Sequence, residues 1–118
     1  MFISKDLTAA SSIPLVLSIL KLGDNYGYAI IKIVREYSGD EIQWTEGMLY
    51  PVLHKLEEQG MIRSYWQESD TGRKRKYYAL SKEGEKGLDD MRLQWDKVHT
   101  TLNGLWKNLF SEEGVCLI

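Results

Sequence analysis

Cysteine and long apolar runs are scarce in this 118-residue chain, and each scarcity excludes a class of protein. The single cysteine, Cys116, cannot form a disulfide within the chain, so nothing indicates a disulfide-stapled secreted domain. The longest apolar run, residues 13–20, is far shorter than the ~20 residues that a membrane-spanning helix requires. No basic stretch with a small-residue cleavage site precedes it. We therefore expect a cytoplasmic protein with no membrane partner and interpret Cys116 as an inert tail thiol.

An excess of positive charge is also absent, since 15 basic residues stand against 17 acidic ones and the net charge is −2. This total argues against a general polyanion binder. Residues 63–76 nevertheless hold five Lys or Arg residues against two acidic ones. The sequence thus combines an ordinary globular composition, 43% apolar and 27% charged, with one local basic patch.

The sequence lacks the residue sets that catalysis and metal binding need. There is no Ser-His-acid set, no phosphate-cradling glycine loop and no nucleophilic cysteine. His54 and His99 lie far apart, without Cys or carboxylate at ligand spacing. The acidic pairs Glu57-Glu58 and Asp89-Asp90 are typical of solvated helix faces. We expect neither an enzyme nor a cofactor.

Four helices and one hairpin are predicted. The first helix covers about Lys5 to Leu22, with Pro14 bending it or delaying its start and Leu17 and Leu20 facing inward. Asp24 or Asn25 caps the second helix, which ends at residues 38–40. Its apolar stripe consists of Ile30, Ile33, Val34 and Tyr37.

The third helix is predicted to begin after a Thr45 cap and to end near Gln59. Its buried stripe consists of Leu49, Val52, Leu53 and Leu56. Strands are predicted over residues 61–67 and 76–80, joined by a turn, and Ser81 caps a long final helix that continues to Leu109.

This order of elements indicates an α+β, mainly α fold: a winged helix-turn-helix with a long C-terminal dimerisation helix. In such a fold the third helix enters the major groove of DNA, and the hairpin contacts the backbone. Tyr50, His54 and Lys55 can present groups to base edges, and the cations at residues 73–76 can neutralise phosphates. The alternative is that these are ordinary surface charges on a small α+β domain.

Several motifs are similar to those of the PadR family of bacterial transcriptional repressors. They are Tyr26-Gly-Tyr28, the segment GMLYPVLHKLEEQG at residues 47–60, Tyr65-Trp66, GRKRKYY at residues 72–78 and LSKEG at residues 80–84. The resemblance covers about residues 7–110. The single short C-terminal helix resembles the compact branch of the family, which includes multidrug-responsive regulators.

The resemblance implies a role for each matched position and a layout for the chain. The expected DNA contacts are Thr45, Gly47, Tyr50, His54 and Lys55 on the third helix and Arg73, Lys74 and Arg75 on the wing. The alternative for Tyr50 is that its ring packs against its own domain. Residues 1–80 would form the DNA-binding domain, 81–110 the dimerisation helix and 111–118 a tail.

The final helix carries an apolar seam with alternating spacings of three and four residues, typical of a coiled coil. The seam consists of Leu88, Met91, Trp95, Val98, Leu102, Leu105 and Leu109. A second copy of the chain is the simplest partner for it, and a two-fold dimer would match a palindromic operator. The alternative is that the helix folds back on its own domain.

Trp95 is unusually bulky for such a seam, and two symmetry-related indoles could leave an apolar slot between the helices. The resemblance implies that Trp95 sandwiches a flat aromatic or drug-like effector. Met91, Val98 and His99 would line the same space, with Ser18 and Pro14 of the first helix as further wall candidates. The alternative is that Trp95 only fills the interface. Trp44, Trp66 and Trp106 are interpreted as structural.

The sequence therefore favours a homodimeric, ligand-responsive repressor that binds double-stranded DNA. Two alternatives remain at this point. One is a dimeric repressor without a ligand. The other is a winged-helix protein-interaction module without DNA contact, which the overall acidity favours and the cationic wing opposes.

Overall fold

The computed structural model describes residues 2–111 of the chain, so Cys116 and the rest of the predicted tail from residue 112 lie outside the described residues. The chain divides into two compact units, of which the first ends at Leu88 and the second begins at Asp89. The first unit thus continues past the hairpin into the beginning of the last helix. No helix among residues 2–111 is long and apolar enough to cross a membrane.

Four helices and three short strands make up the described chain. They are α1 (Lys5–Leu22), β1 (Asn25–Tyr26), α2 (Gly27–Tyr37), α3 (Glu46–Glu58), β2 (Ile62–Glu68), β3 (Lys74–Leu80) and α4 (Lys82–Leu109). Helices α2 and α3 followed by the β2–β3 hairpin confirm the predicted winged helix-turn-helix with a long C-terminal helix. We call the β2–β3 hairpin and its connecting turn, residues 62–80, the wing.

Side-chain caps fix the starts of three helices. Thr45 Oγ1 accepts a hydrogen bond from the Met48 amide at 3.3 Å, as expected for α3. Ser81 Oγ likewise accepts from the Gly84 amide at 3.0 Å and begins α4. Ser4 caps α1, which runs unbroken through Pro14 to Leu22. The starts of α3 and α4 could therefore be predicted from the capping residues in the sequence.

The predicted cap of α2 by Asp24 or Asn25 is wrong. Asn25 and Tyr26 form strand β1, which pairs antiparallel with Tyr78 and Tyr77 of β3. The sheet order is β1-β3-β2, and α2 begins directly after Tyr26 without a side-chain cap. A two-residue strand is too short to produce a recognisable alternation in the sequence. Pairing with β3 holds the backbone at the position where a side-chain cap was predicted.

The strands of the wing are displaced from the predicted positions. Strand β2 begins at Ile62 rather than Met61, and β3 begins at Lys74 rather than Lys76. The pairs Gln67–Arg75 and Glu68–Lys74 extend the ladder toward the turn. Gly72 adopts a left-handed φ of 78°, and the Ser69 amide donates to the Arg73 carbonyl at 2.8 Å. The basic residues therefore lie at the tip of a paired hairpin, not in a loose loop.

The core of the first unit lies between α1, α2, α3 and the sheet. Its largest fully buried side chains are Val16, Leu17, Ile30, Leu49, Leu53 and Leu56. The predicted stripe of α2 is partly wrong, since Ile31 is buried, Ile33 is half-buried and Tyr37 is 80% exposed. The buried face of α2 includes Gly27, whose lack of a side chain leaves room for the Tyr50 side chain of α3.

The beginning of α4 packs tightly against the residue that precedes β2. A Cβ atom built at Gly84 would clash with the Met61 carbonyl oxygen, and one at Gly87 would clash with Met61 Cε. The Ser81 amide also donates to that Met61 carbonyl at 3.1 Å. The two glycines, which lower helix propensity, thus permit the close approach of α4 to Met61.

Candidate nucleic-acid interface

Helix α3 presents one buried and one exposed face, as its pattern predicts. Leu49, Leu53 and Leu56 are buried against the core, and Val52 is half-buried. The DNA contacts predicted at the start of α3 and along it are all exposed residues: Thr45, Gly47, Tyr50, His54 and Lys55. A helix anchored on one side with polar groups on the other meets the requirement for insertion into a DNA groove.

Tyr50 was predicted either to contact DNA or to pack against its own domain, and in the structure it is partly exposed and partly packed. Its side chain is 44% exposed, yet its hydroxyl end lies against Gly27 of α2. A Cβ atom at Gly27 would lie 2.7 Å from Tyr50 Oη and 3.0 Å from its Cζ. The ring is therefore held in place by α2 while its remaining surface stays open to a ligand.

The wing presents its cations in two ways. Arg73 and Lys74 are exposed at the tip, whereas Arg75 is half-buried. The Arg75 guanidinium carbon lies 4.4 Å above the centroid of the Tyr26 ring. A cation–π contact of this length restrains the Arg75 side chain, so part of the positive charge of the wing has a fixed position.

A concave surface of about 520 Å³ joins α3 to the wing, and we call it the α3–wing cleft. It is lined by Tyr26, Gly27, Tyr28, Glu46, Tyr50, Trp66, Arg73, Arg75 and Lys76. The predicted residues Tyr50, Arg73 and Arg75 are brought together in it. The other predicted DNA contacts, Thr45, Gly47, His54, Lys55 and Lys74, are exposed outside its lining. Three cations face one acidic residue among the described residues that line the cleft, so it favours an anion.

Aromatic contacts brace the wing on the sheet face that carries Tyr77. The rings of Tyr65 and Tyr77 stack with centroids 5.8 Å apart, and Tyr26 meets Tyr77 edge-on at 5.5 Å. The Tyr65 hydroxyl donates to Asp24 at 2.7 Å, and this hydrogen bond raises the pKa of the Tyr65 phenol. Strand β2 is thereby fastened to the turn that precedes β1.

On the opposite sheet face, the wing contacts α3. The Ser64 hydroxyl donates to the Glu57 carboxylate of α3. Tyr78 lies buried beside them, and burial raises the pKa of its phenol. These contacts fix the wing relative to α3 and so set the shape of the cleft.

Three aromatic residues of the cleft, Tyr26, Tyr28 and Trp66, were missed by sequence reasoning. Trp66, interpreted as structural, is 67% exposed, and Tyr28 is 54% exposed. The alternation of β2 was the available signal, because Trp66 shares a face with Ile62 and Ser64 but lies beyond the core. Trp44 is buried as expected, whereas Trp106 is exposed.

The second unit contains most of the apolar seam on α4. Leu88, in the first unit, and Met91 are half-buried, and the five seam residues that follow are exposed in the single chain: Trp95, Val98, Leu102, Leu105 and Leu109. Isolated exposed leucines are ordinary, but a continuous apolar stripe of this length is typical of an interface.

The residues predicted to hold an effector are distributed over both units. Met91, Trp95, Val98 and His99 lie on α4, where His99 Nε2 is 3.0 Å from Asn103 Nδ2. Pro14 and Ser18 lie on α1, where the Ser18 hydroxyl donates to the Pro14 carbonyl at 2.6 Å. The effector site stays a prediction. Among residues 2–111, no three metal-ligating side chains form a cluster that could hold a metal ion.

The family model described as "Transcriptional regulator PadR-like family" matches residues 16–90 of the chain. A PadR family transcription regulator from Clostridium difficile is 34% identical in sequence, with a TM-score of 0.72, and the match covers 80% of this chain and 97% of that one. A transcriptional regulator from Clostridium thermocellum is 30% identical with a TM-score of 0.76, covering 85% and 97% of the two chains.

The transcriptional regulator YqjI from Escherichia coli is 30% identical over 83 residues, which are 70% of this chain. The chain spans only 38% of the length of YqjI. The family match covers α2, α3, the wing and the beginning of α4, and so includes every residue that lines the cleft. The chain belongs to the PadR-like family of transcriptional regulators.

Proposed function

We propose that the protein is a homodimeric, ligand-responsive repressor that binds a palindromic DNA operator and is released from it by a planar apolar compound. The observation that carries DNA binding is the α3–wing cleft, in which Tyr50 of α3 and Arg73 and Arg75 of the wing line one concave surface. The protein acts by binding alone, without a catalytic step.

The two parts of this surface would have different roles. Exposed side chains along α3, from Thr45 to Lys55, would enter the major groove and discriminate between base pairs. The wing cations Arg73, Lys74 and Arg75 would contact phosphates, which fixes the position of the protein without reading sequence. A chain with net charge −2 would therefore bind DNA through local charge only.

The seam on α4 supports a dimer. The 28-residue helix is about 42 Å long at the usual rise per residue, and its apolar stripe is exposed in the single chain. Pairing with the same stripe of a second copy would bury the stripe and relate the two α3 helices by a two-fold axis. Such a dimer reads a palindrome with half-sites one helical turn apart.

Release by an effector would follow from the position of Trp95 in the seam. A flat aromatic compound held between two Trp95 indoles would favour one spacing of the α4 helices over another. Operator affinity would fall by the ratio of the effector's affinities for the two dimer states. If Trp95 only fills the interface, the protein is a dimeric repressor without this response.

The test is binding to the promoter upstream of the protein's own gene, followed by fluorescence anisotropy of a labelled duplex. We expect tighter binding to this duplex than to a scrambled one. Tyr50→Ala and His54→Ala should reduce this preference, whereas Lys86→Ala, on α4, should leave it unchanged. Equal binding to both duplexes by the wild-type protein would contradict an operator-binding role. It would favour the protein-interaction module that the acidic composition suggests.

A further inference from the structure

Trp66 is a large apolar side chain that the fold leaves in the α3–wing cleft. It pairs with Lys76 across the β2–β3 ladder, on the face where Ser64 and Tyr78 contact α3. Because side chains alternate along a strand, Trp66 lies on this α3-facing side of the wing, one step beyond the buried residues. Two-thirds of the indole is exposed there, so its packing within the chain does not account for it.

The surroundings of Trp66 define what kind of ligand would cover it. The cleft contains two other exposed rings, Tyr28 and Tyr50, and the cations Arg73, Arg75 and Lys76. A phosphate satisfies cations but leaves aromatic rings uncovered, whereas an apolar partner covers rings but leaves cations unpaired. A sugar–phosphate backbone offers both, since deoxyribose carries apolar C–H groups and each phosphate carries one negative charge.

We propose that Trp66 is a further DNA-contact residue, whose indole packs against the deoxyribose of the duplex strand that passes through the α3–wing cleft. This inference rests on the proposed function. Lys76, opposite Trp66 in the ladder, binds the adjacent phosphate, and the ring excludes water from that contact. Trp66 thus adds affinity that depends neither on base sequence nor on counterion release.

Trp66→Ala provides the test, because the residue is exposed and its replacement leaves the core intact. We expect affinity to fall about tenfold, as for the removal of one buried aromatic contact, and to fall equally for the promoter duplex and a scrambled duplex. The slope of log affinity against log salt should stay unchanged, because no cation is removed. Trp66→Phe should retain most of the affinity. Tyr37→Ala, which removes another exposed ring, is the matched control and should bind as the wild-type protein does.

Hydroxyl-radical footprinting locates the contact on the DNA, because it reports protection of individual deoxyriboses. We expect Trp66→Ala to lose protection at one backbone position per half-site while protection elsewhere persists. Unchanged affinity and an unchanged footprint in Trp66→Ala would overturn the inference and leave the proposed function standing. Failure of the wild-type protein to bind the promoter duplex would overturn both.

Discussion

Gly27 and Tyr50 meet so closely that a side chain at position 27 would displace the Tyr50 ring. A Cβ atom there would lie 2.7 Å from the hydroxyl oxygen of Tyr50 and 3.0 Å from the ring carbon that carries it. The first turn of α2 thus sets the position of the ring on α3. A backbone position on one helix thereby determines the geometry of the candidate DNA-reading surface on the next.

Gly27→Ala should therefore displace Tyr50. We expect a decrease in the free energy of unfolding of about 1–3 kcal/mol, the usual cost of overpacking, together with weaker binding to the promoter duplex. In a Tyr50→Ala background the three atoms nearest to the added methyl group are absent, so most of the stability cost should vanish. Urea denaturation of the two single variants and the double variant measures this coupling. Equal costs in both backgrounds would show that Tyr50 is not the obstacle.

The wing cations should control the salt dependence of DNA binding. Replacing Arg73, Lys74 and Arg75 with Ala should weaken binding to all duplexes and lower the slope of log affinity against log salt by about 0.9 for each phosphate that the wing no longer neutralises. The matched control replaces Lys21, Lys82 and Lys86, which changes the net charge equally but outside the wing. A control variant that flattens the slope as much would mean that net charge, not the wing, drives binding.

Trp95 should report an effector through its fluorescence. We expect a planar aromatic dye to quench the emission of the wild-type protein, and Trp95→Ala to lose most of that quenching. Trp106→Ala is the matched control, because Trp106 is also exposed on α4 but lies one residue off the seam. Equal quenching in Trp95→Ala and the wild-type protein would place the dye elsewhere.

Alkaline pH should weaken the wing. Burial raises the pKa of Tyr78, and the hydrogen bond to Asp24 raises that of Tyr65. Both phenols therefore hold their protons more tightly in the folded protein than in the unfolded chain, where the pKa is about 10. This stabilisation is complete below that pH and is lost as pH rises through the folded-state values.

The measurement is urea denaturation of the wild-type protein and Tyr78→Phe at several pH values between about 9 and 11. We expect the free energy of unfolding to fall over this range, and to fall less steeply in Tyr78→Phe, which has no phenolic proton to lose. Parallel curves for the two proteins would contradict a contribution from Tyr78.

Elements with strong local signals were predictable from the sequence. The Thr45 and Ser81 caps and the leucine stripe of α3 gave the positions of α3 and α4, because caps and helical period act within a few residues. Strand β1 had no such signal, since its two residues are held only by pairing with β3, some fifty residues further along the chain. The buried face of α2 was also misjudged, since it consists of Gly27, Ile30, Ile31 and Val34 rather than the stripe that ends at Tyr37.

The sequence predicted the charged residues of the candidate site but only some of its aromatic residues. The cations at residues 73–76 stand out in composition, and Tyr50 belongs to a specific motif. Tyr28, on α2, and Trp66, on β2, also lie in motifs, but a motif does not show whether its ring is core or surface. For Trp66 this depends on where the buried part of the sheet ends. That limit is set by the packing of β2 against α3, and the alternation of β2 indicates the face on which Trp66 lies but not its burial.

The proposed arrangement of two chains on one duplex depends on the α4 seam. Leu102 lies on this seam, so Leu102→Lys should place a charge in the paired interface and separate the copies. Leu93→Lys is the matched control, because Leu93 is exposed on the same helix but lies off the seam. Failure of Leu102→Lys to change the assembly, or an equal effect of Leu93→Lys, would remove the seam from the proposal.

Sedimentation velocity of the full chain with a labelled promoter duplex measures this arrangement directly, since the mass of the complex gives the number of 13.7 kDa chains bound. We expect a free protein of two chains at micromolar concentration and a complex of two chains per duplex, with Leu102→Lys shifted to single chains and weak binding. A wild-type protein that sediments as one chain, both free and on the duplex, would contradict the paired presentation of the two α3 helices.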